Sequence, residues 1–188
     1  PDMVVSLIPN FNRVLYEALA ASLPGVPYVT VLTDLADYPP HFWVEPDLPI
    51  HLVCGCARAV AQAHAAGHAP SLIHATSGML IRTAFYDVAP VDRAAERARL
   101  GLDPQRPTGL VLFGGQGSKA MRAIARRLPD TQLILACGHN AALAESLKVL
   151  PAAAPRLVLG FTPDVARYMQ LADFFIGKPG PGSVSEAV

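Results

Sequence analysis

Residues 109–119 read "GLVLFGGQGSK": a short apolar run, a turn with three glycines, and the start of a helical pattern. A short, continuous apolar run favours a strand that is buried on both faces. Glycines between a strand and a helix allow a tight turn. Because strand–turn–helix units of this kind build parallel sheets covered by helices, the stretch predicts an α/β fold.

Similar apolar runs predict seven further strands, with helical patterns between them. Four runs precede residue 86, namely "MVVSLIP", "PYVTVLTD", "IHLVCG" and "PSLIHAT", and three follow residue 119, namely "TQLILACG", "RLVLGF" and "DFFIGK". The stretch over 86–107 is charged and rich in proline, with one short helical pattern. We therefore predict two Rossmann-like, doubly wound parallel-sheet domains over 1–85 and 108–188, joined by a linker over 86–107 that contains a short helix.

Composition excludes several function classes. The 15 basic residues balance the 15 acidic ones, and without a basic run we expect no nucleic-acid partner. The three cysteines lie in apolar runs and predict free thiols in a reducing compartment. No apolar stretch reaches the roughly 20 residues of a membrane span, and no basic signal region follows Pro1. We expect a cytoplasmic protein, with a peripheral contact at the inner membrane surface left open.

Small or polar residues follow the strands of the second series, where ligands of parallel sheets bind. Gly114, Gly115 and Gly117 precede a helix, so their backbone N–H groups and the helix dipole favour an anionic ligand. The alternative is an ordinary tight turn.

The final segment "GKPGPGSVSEAV", residues 177–188, has the composition of a diphosphate-binding loop. Its prolines stiffen the loop, and its glycines keep side chains away from a ligand. We expect Ser183 to cap the next helix and to face a phosphate. Glu186 either completes a capping box with Ser183 or accepts hydrogen bonds from ribose hydroxyls.

The C-terminal stretch also carries a resemblance to a known family. Residues 158–188 resemble the nucleotide-binding half of monogalactosyldiacylglycerol synthases and bacterial diacylglycerol glucosyltransferases, and more distantly the lipid II N-acetylglucosaminyltransferase. Upstream, "PDMVVSLIPNF", "VPYVTVLTDL", "HFWVEPD", "GLVLFGGQGS" and "LILACGHNAAL" occur in the family's order and spacing. The resemblance implies a GT-B fold with an acceptor-side domain and a UDP-sugar-binding domain, both incomplete in this chain.

That resemblance implies a donor site, residue by residue. It assigns the uracil-reading turn to Phe161 and Thr162 and the ribose-binding carboxylate to Glu186. The other UDP-sugar-binding residues that it implies form the glycine loop, Gly114, Gly115 and Gly117, and the diphosphate loop, Gly180, Pro181, Gly182 and Ser183. The loop "GGQGS" is slightly shorter than its counterpart in the lipid II enzyme.

The reaction implied by the resemblance transfers galactose or glucose from a UDP-sugar to diacylglycerol or a related lipid. Backbone N–H groups and a helix N-terminus would stabilise the leaving diphosphate with no metal and no cofactor. Asp34 has a helper or acceptor-positioning role, unless it is an Asx-turn residue. The family's catalytic base is a histidine that we expect before Pro1, and more of the donor domain is expected after Val188. We therefore expect little turnover from the chain as given.

Two histidines and two cysteines suggest a zinc site that we set aside. His64 and His68 lie four residues apart on a helical pattern, shortly after Cys54 and Cys56. The C-x-C spacing departs from the usual C-x-x-C of zinc sites. We predict solvent-facing histidines and buried thiols instead.

Three further features leave alternatives open. The "YPPHFWVEPD" loop, residues 38–47, either contacts the lipid acceptor or the membrane, or packs Trp43 into its own domain. His74 lies in an apolar run and is predicted to be a buried histidine. His139 reaches the donor, unless the local polarity only reflects helix capping by Asn140.

Two other functions remain as alternatives to the hexosyltransferase. A UDP-sugar 2-epimerase-like enzyme shares the two-domain architecture but needs no acceptor. A non-catalytic nucleotide-sugar-binding module would bind the donor without turnover. Product analysis separates the two enzymes, and turnover separates both enzymes from the binding module.

Overall fold

The computed structural model describes residues 1–87 and 89–187. The chain divides into two compact units, Pro1–Ile81 and Arg82–Val188. Each unit contains one four-stranded parallel sheet. The α/β fold with two parallel sheets, predicted from the strand–turn–helix pattern, is confirmed.

The sheet of the first unit keeps its strands in chain order, β1-β2-β3-β4. The elements are β1 (Val4–Ser6), α1 (Asn12–Ser22), β2 (Tyr28–Val31), β3 (His51–Cys54), α2 (Ala57–Ala65) and β4 (Ile73–Ala75), with short 3-10 turns at Pro70–Leu72 and, in the second unit, Thr83–Phe85. The register pairs Thr30 with Leu52 and Leu52 with Ile73. All four strands predicted before residue 86 are present.

One face of this sheet carries the core of the first unit. Tyr28, Leu52 and Cys54 are buried there and pack with Ala59 and Ala63 of α2. The alternate strand residues lie on the other face and are more exposed, as Val5 illustrates at 49%. The continuous apolar pattern predicts strands that are buried on both faces of the sheet. Within residues 1–81, however, α1 and α2 both pack into one core cluster on one face.

The second unit has the strand order β7-β6-β5-β8. Its elements are α3 (Arg93–Arg99), β5 (Thr108–Leu112), α4 (Ala120–Arg127), β6 (Gln132–Ala136), α5 (Ala141–Lys148), β7 (Arg156–Leu159), α6 (Val165–Leu171), β8 (Phe174–Gly177) and α7 (Pro181–Ala187). The order reverses at β5, which pairs with both β6 and β8. In sheets of this kind, the point of reversal is where a crevice opens at the carboxyl ends of the strands.

Both faces of the second sheet are covered. Successive residues of a strand point to opposite faces, and Val111 packs with α4 and α5 in one cluster. Its neighbour Leu110 packs with Leu171 of α6 in the other cluster. The second unit is therefore doubly wound.

The stretch predicted as a linker is fastened to the second sheet. Arg97 on α3 is only 6% exposed and donates to the Leu171 carbonyl and to Asp173 Oδ2, at 2.6 and 2.7 Å from Nη2. Asp173 also accepts from Thr108 N–H at 2.7 Å and from Arg93. The compact units accordingly divide after Ile81, whereas the sequence predicts the boundary at residue 85 with a separate linker over 86–107.

No helix in residues 1–87 and 89–187 combines the length and the apolar character that crossing a membrane requires.

Candidate functional site

The turns that follow β5, β6 and β7 meet the helix α7 around one cavity of the second unit. The cavity has a volume of about 310 Å³. Its lining comes from the strand ends Leu112 and Ala136, the glycines Gly114, Gly115, Gly138 and Gly160, the turn Phe161, Thr162, Pro163 and Val165, and the side chains Arg82, Ser183 and Glu186.

Glycines let two of these turns approach each other closely. Gly114 and Gly138 have φ angles of +74° and +59°, a region that favours glycine. A Cβ atom on Gly138 would overlap the carbonyl oxygen of Gly115. His139 N–H donates to that same carbonyl at 2.8 Å, so the turn after β6 is fixed to the turn after β5.

Backbone donors face no protein acceptor at the first turn. Among the residues that the structure describes, the N–H groups of Gly114 and Gly115 donate to no acceptor of the chain. A Cβ on either glycine would meet nothing within 4 Å, so the backbone borders open space on that side. Free N–H groups without covering side chains suit an anionic ligand.

One lining residue, Phe161, belongs to an aromatic pair. The rings of His139 and Phe161 stack with centroids 4.2 Å apart and an interplanar angle of 17°. Phe161 is 63% exposed. The next residue, Thr162, accepts from Asp164 N–H at 3.1 Å through its hydroxyl, which closes the turn after β7.

One cation and one carboxylate line the cavity among the described residues. Arg82 Nε lies 3.5 Å from Glu186 Oε1, and the side chains are 57% and 17% exposed. The Arg82 guanidinium also lies 5.1 Å from the centre of the Phe85 ring. Arg82 thus comes from the start of the second unit, whereas Glu186 comes from α7 at its other end.

Six of the residues predicted for the donor site line this cavity: Gly114, Gly115, Phe161, Thr162, Ser183 and Glu186. Gly117 does not; its N–H donates to the Gly114 carbonyl at 3.1 Å, and a Cβ there would approach Leu143 Cδ2 at 2.7 Å. Gly180, Pro181 and Gly182 lie in the connection from β8 and the first turn of α7, outside the lining.

The predicted cap at Ser183 is wrong. Helix α7 begins at Pro181, so Ser183 is the third helical residue and cannot be the residue that precedes the helix. Proline suits the first helical position because its fixed φ matches the helix and its missing N–H has no intrahelical partner there. Glu186 accordingly pairs with Arg82 and not in a capping box.

Asp34 lies in the first unit, three residues beyond the end of β2. Its Oδ2 accepts the indole N–H of Trp43 at 2.7 Å. Trp43 is 1% exposed and belongs to the core of this unit, so of the two alternatives for this loop the packing of Trp43 into its own domain is the observed one. Asp37 holds the same loop by accepting from the N–H groups of His41 and Trp43 at 2.8 and 2.6 Å.

Two histidine predictions are wrong. His68 is buried, because its Nε2 lies 2.9 Å from the Glu45 carbonyl in the core of the first unit. His74 is exposed on the edge strand β4, where its Nε2 lies 3.0 Å from His51 Nδ1. His64 is exposed as predicted.

The thiols differ in their surroundings. Cys54 is buried, and burial together with neighbouring Cys56 raises its pKa to about 11. Cys56 is only half-buried, because it occupies the N-cap of α2 and accepts from Ala59 N–H. Within residues 1–87 and 89–187, no group of three or more potential ligands is placed to hold a metal ion.

Sequence reasoning missed Arg82, Gly138 and Gly160 as lining residues. Gly138 and Gly160 lie within two residues of the ends of β6 and β7, in "CGHN" and "LGFT", so the strand-end rule that selected Gly114 would have found them. Arg82 follows no predicted strand of the second series and carries no such signal.

No protein-family model matches the chain. The probable monogalactosyldiacylglycerol synthase 2 of rice, a chloroplast protein of Oryza sativa subsp. japonica, is 31% identical over 201 aligned positions that cover 100% of this chain and 42% of the rice protein. Monogalactosyldiacylglycerol synthase 1 of Arabidopsis thaliana is 30% identical over 202 positions, covering 100% of this chain and 37% of that protein. Over its whole length the chain is similar to monogalactosyldiacylglycerol synthases. It spans about two fifths of the length of these curated relatives.

Among solved structures, the HepE protein of Anabaena in complex with UDP and glucose superposes with a TM-score of 0.52 at 18% identity. The match covers 99% of this chain and 56% of that protein. At this level of identity the likeness bears on the fold alone, and it agrees with the α/β architecture of the two units.

Proposed function

We propose that the protein is a UDP-sugar-dependent hexosyltransferase that moves galactose or glucose to diacylglycerol or a related lipid. Similarity to monogalactosyldiacylglycerol synthases over the whole chain supports this reaction. The HepE structure, which holds UDP and glucose on a related fold, supports the nucleotide part of it. The choice between the two hexoses stays open.

The observation that carries the proposal is the composition of the cavity at the strand ends. Free backbone N–H groups at Gly114 and Gly115 and one guanidinium at Arg82 are the donors that a diphosphate requires. Glu186 supplies a carboxylate acceptor for ribose hydroxyls. The turn at Phe161 and Thr162 offers an exposed aromatic ring beside backbone groups for a base.

Arg82 and Glu186 pair with each other in the structure. We propose that the nucleotide separates them, since the guanidinium is needed at the diphosphate and the carboxylate at the ribose. Negative charge grows on the diphosphate as the sugar leaves, and a fixed cation and N–H groups at that position lower the barrier. No cofactor and no metal enter the proposed reaction.

On the acceptor side we propose a positioning role for Asp34. Its carboxylate accepts from Trp43, and through this bond it orients the loop that carries the exposed Tyr38. We propose that the exposed Tyr38 contacts the lipid acceptor at a membrane surface while Trp43 stays packed in its own domain, with the protein otherwise in the cytoplasm.

A transfer assay tests the proposed function. The full-length gene product that contains this sequence is incubated with radiolabelled UDP-galactose or UDP-glucose and with vesicles that contain diacylglycerol, and the lipid and water phases are then separated. We expect labelled glycolipid in the lipid phase and the release of one UDP for each sugar transferred. A sugar nucleotide recovered as its 2-epimer, or UDP-sugar binding with no product of either kind, would contradict the hexosyltransferase.

Variants locate the activity in the cavity. Glu186→Ala removes the proposed ribose acceptor and should lower transfer strongly. Glu145→Ala is the matched control, because Glu145 is an exposed carboxylate of the same unit and pairs with Lys148, outside the cavity. Equal loss of sugar transfer in both variants would contradict a donor site in this cavity.

A further inference from the structure

His139 lies against Phe161, a lining residue of the cavity, and helix capping gives it no role. The cap of α5 is Asn140, whose Oδ1 accepts from Leu143 N–H at 2.9 Å. The His139 ring makes a different contact, lying flat on the ring of Phe161 at 4.2 Å between centroids.

The backbone on both sides of this imidazole is held in place. Its own N–H donates to the Gly115 carbonyl at 2.8 Å, and Gly138 before it packs against that same carbonyl without room for a Cβ. Asn140 after it donates from Nδ2 to the Gln116 carbonyl at 3.2 Å. The direction in which the His139 side chain leaves the backbone is therefore set by the turn after β5.

Phe161 is held less firmly. It is 63% exposed and lines the cavity on the turn after β7, and the described hydrogen bond of that turn joins Thr162 to Asp164. An exposed phenyl ring without packing partners would sample several rotamers. The interplanar angle of 17° to His139 shows one face of the ring covered by a fixed partner, which leaves its remaining surface for the cavity.

We propose that His139 is a positioning residue for the base subsite: its imidazole holds the Phe161 ring in the orientation against which the base of the nucleotide stacks. This inference rests on the proposed function. Parallel aromatic contacts restrict the orientation of a ring, and a base stacks on any aromatic face that is presented flat to it. His139 thus acts through Phe161 and determines how well the site accepts a planar base.

Three probes separate base recognition from phosphate recognition. UDP, uridine and inorganic pyrophosphate are titrated calorimetrically into the unaltered protein and into His139→Ala, His139→Phe and Phe161→Ala. His64→Ala is the control, because His64 is an exposed histidine on α2 of the first unit. Thermal unfolding of each variant accompanies the titrations.

We expect His139→Ala to weaken UDP and uridine by about two- to ten-fold, the range for the loss of an aromatic pair, with pyrophosphate binding unchanged. Phe161→Ala should weaken the same two probes at least as much. His139→Phe keeps a planar ring and should restore the affinity for UDP.

Unchanged UDP and uridine affinities in His139→Ala, with UDP bound by the unaltered protein, would overturn this inference alone. A His139→Phe variant as weak as His139→Ala, or an equal loss for pyrophosphate, would also overturn it. Absence of UDP binding by the unaltered protein would overturn the proposed function and this inference with it.

Discussion

Arg82 Nε lies 3.5 Å from Glu186 Oε1, and this pair joins the first residue of the second unit to its last helix across the cavity. Both side chains line the cavity, and each is the sole charge of its sign among the described lining residues. A cavity with one donor cation and one acceptor carboxylate presents opposite chemistry to the two ends of a nucleoside diphosphate. The pair is therefore the feature that makes the donor site testable by single substitutions.

Replacing Arg82 by Gln should weaken UDP binding about ten-fold, because a charge-assisted hydrogen bond to a phosphate oxygen is lost. Uridine, which has no phosphate, should bind both proteins equally. Because the Arg82 side chain is largely exposed, added salt should reduce the difference in UDP affinity between the unaltered protein and Arg82→Gln. Titration of both ligands at low and high ionic strength checks this prediction. Arg126→Gln, an exposed arginine on α4, is the control, and an equal loss of uridine affinity in Arg82→Gln would contradict the phosphate role.

Replacing Glu186 by Ala should abolish the preference for ribose over deoxyribose. In the unaltered protein we expect 2′-deoxy-UDP to bind about ten-fold more weakly than UDP, because a carboxylate hydrogen bond to a hydroxyl is missing. The variant should bind the two ligands alike. Competition titrations of the two nucleotides measure the ratio, and an undiminished ratio in Glu186→Ala would assign ribose recognition to another residue.

Replacing Gly138 by Ala should destabilise the second unit by about 1 to 3 kcal/mol, since the residue has a positive φ and its Cβ would overlap the Gly115 carbonyl. UDP affinity should fall as well, because the turns after β5 and β6 move apart. Gly160→Ala is the matched control: a Cβ there meets its nearest described neighbour at 3.9 Å. Denaturant unfolding of both variants gives the comparison, and equal stabilities would contradict the close approach of the two turns.

Replacing Asp173 by Asn should lower the free energy of unfolding at pH 7 by about 2 kcal/mol, because Arg97 loses its partner. Burial raises the pKa of Asp173, but hydrogen bonds from Thr108 N–H, Arg93 and Arg97 together lower it by more than burial raises it. The pKa of Asp173 therefore lies below its ordinary value. The stabilisation is complete above the unfolded pKa of about 3.9 and is lost as the pH falls through the folded-state value.

Urea unfolding at pH 7 and at pH 3 checks the prediction for Asp173. The stability difference between the unaltered protein and Asp173→Asn should shrink at the lower pH. Asp130→Asn changes an exposed carboxylate of the same unit and should leave the free energy of unfolding unchanged at both pH values. A difference that stays constant with pH would show that the carboxylate charge does not contribute.

The strands were predictable because strands that are buried in a parallel sheet consist mostly of apolar residues. "TQLILACG" contains β6, whose five residues are all buried, and the four residues after Gln132 are apolar, as is typical of a strand that is buried on both faces. The order in space was less accessible. Nothing in "DFFIGK" indicates that β8 pairs with β5 and not with β7, since pairing depends on crossovers over the whole unit.

The candidate site was partly predictable. Glycines after strands pointed to Gly114 and Gly115, because parallel sheets place ligands at their carboxyl ends. Arg82 was missed because its partner Glu186 is brought to it only by the fold. The predicted burial of His68 and of His74 was wrong in both cases. His68, which follows α2, is buried and contacts the Glu45 carbonyl, whereas His74 lies exposed on the edge strand β4. Neither outcome could be predicted from the neighbouring residues in the sequence.

The most direct measurement is a calorimetric titration of the protein with UDP, with ADP as the competitor for base selectivity. The account predicts binding in the micromolar range, a clear preference for UDP, and a marked loss of UDP affinity in both Arg82→Gln and Glu186→Ala. Absence of UDP binding at millimolar concentration, or equal binding of UDP and ADP that survives both substitutions, would contradict a UDP-sugar site in this cavity.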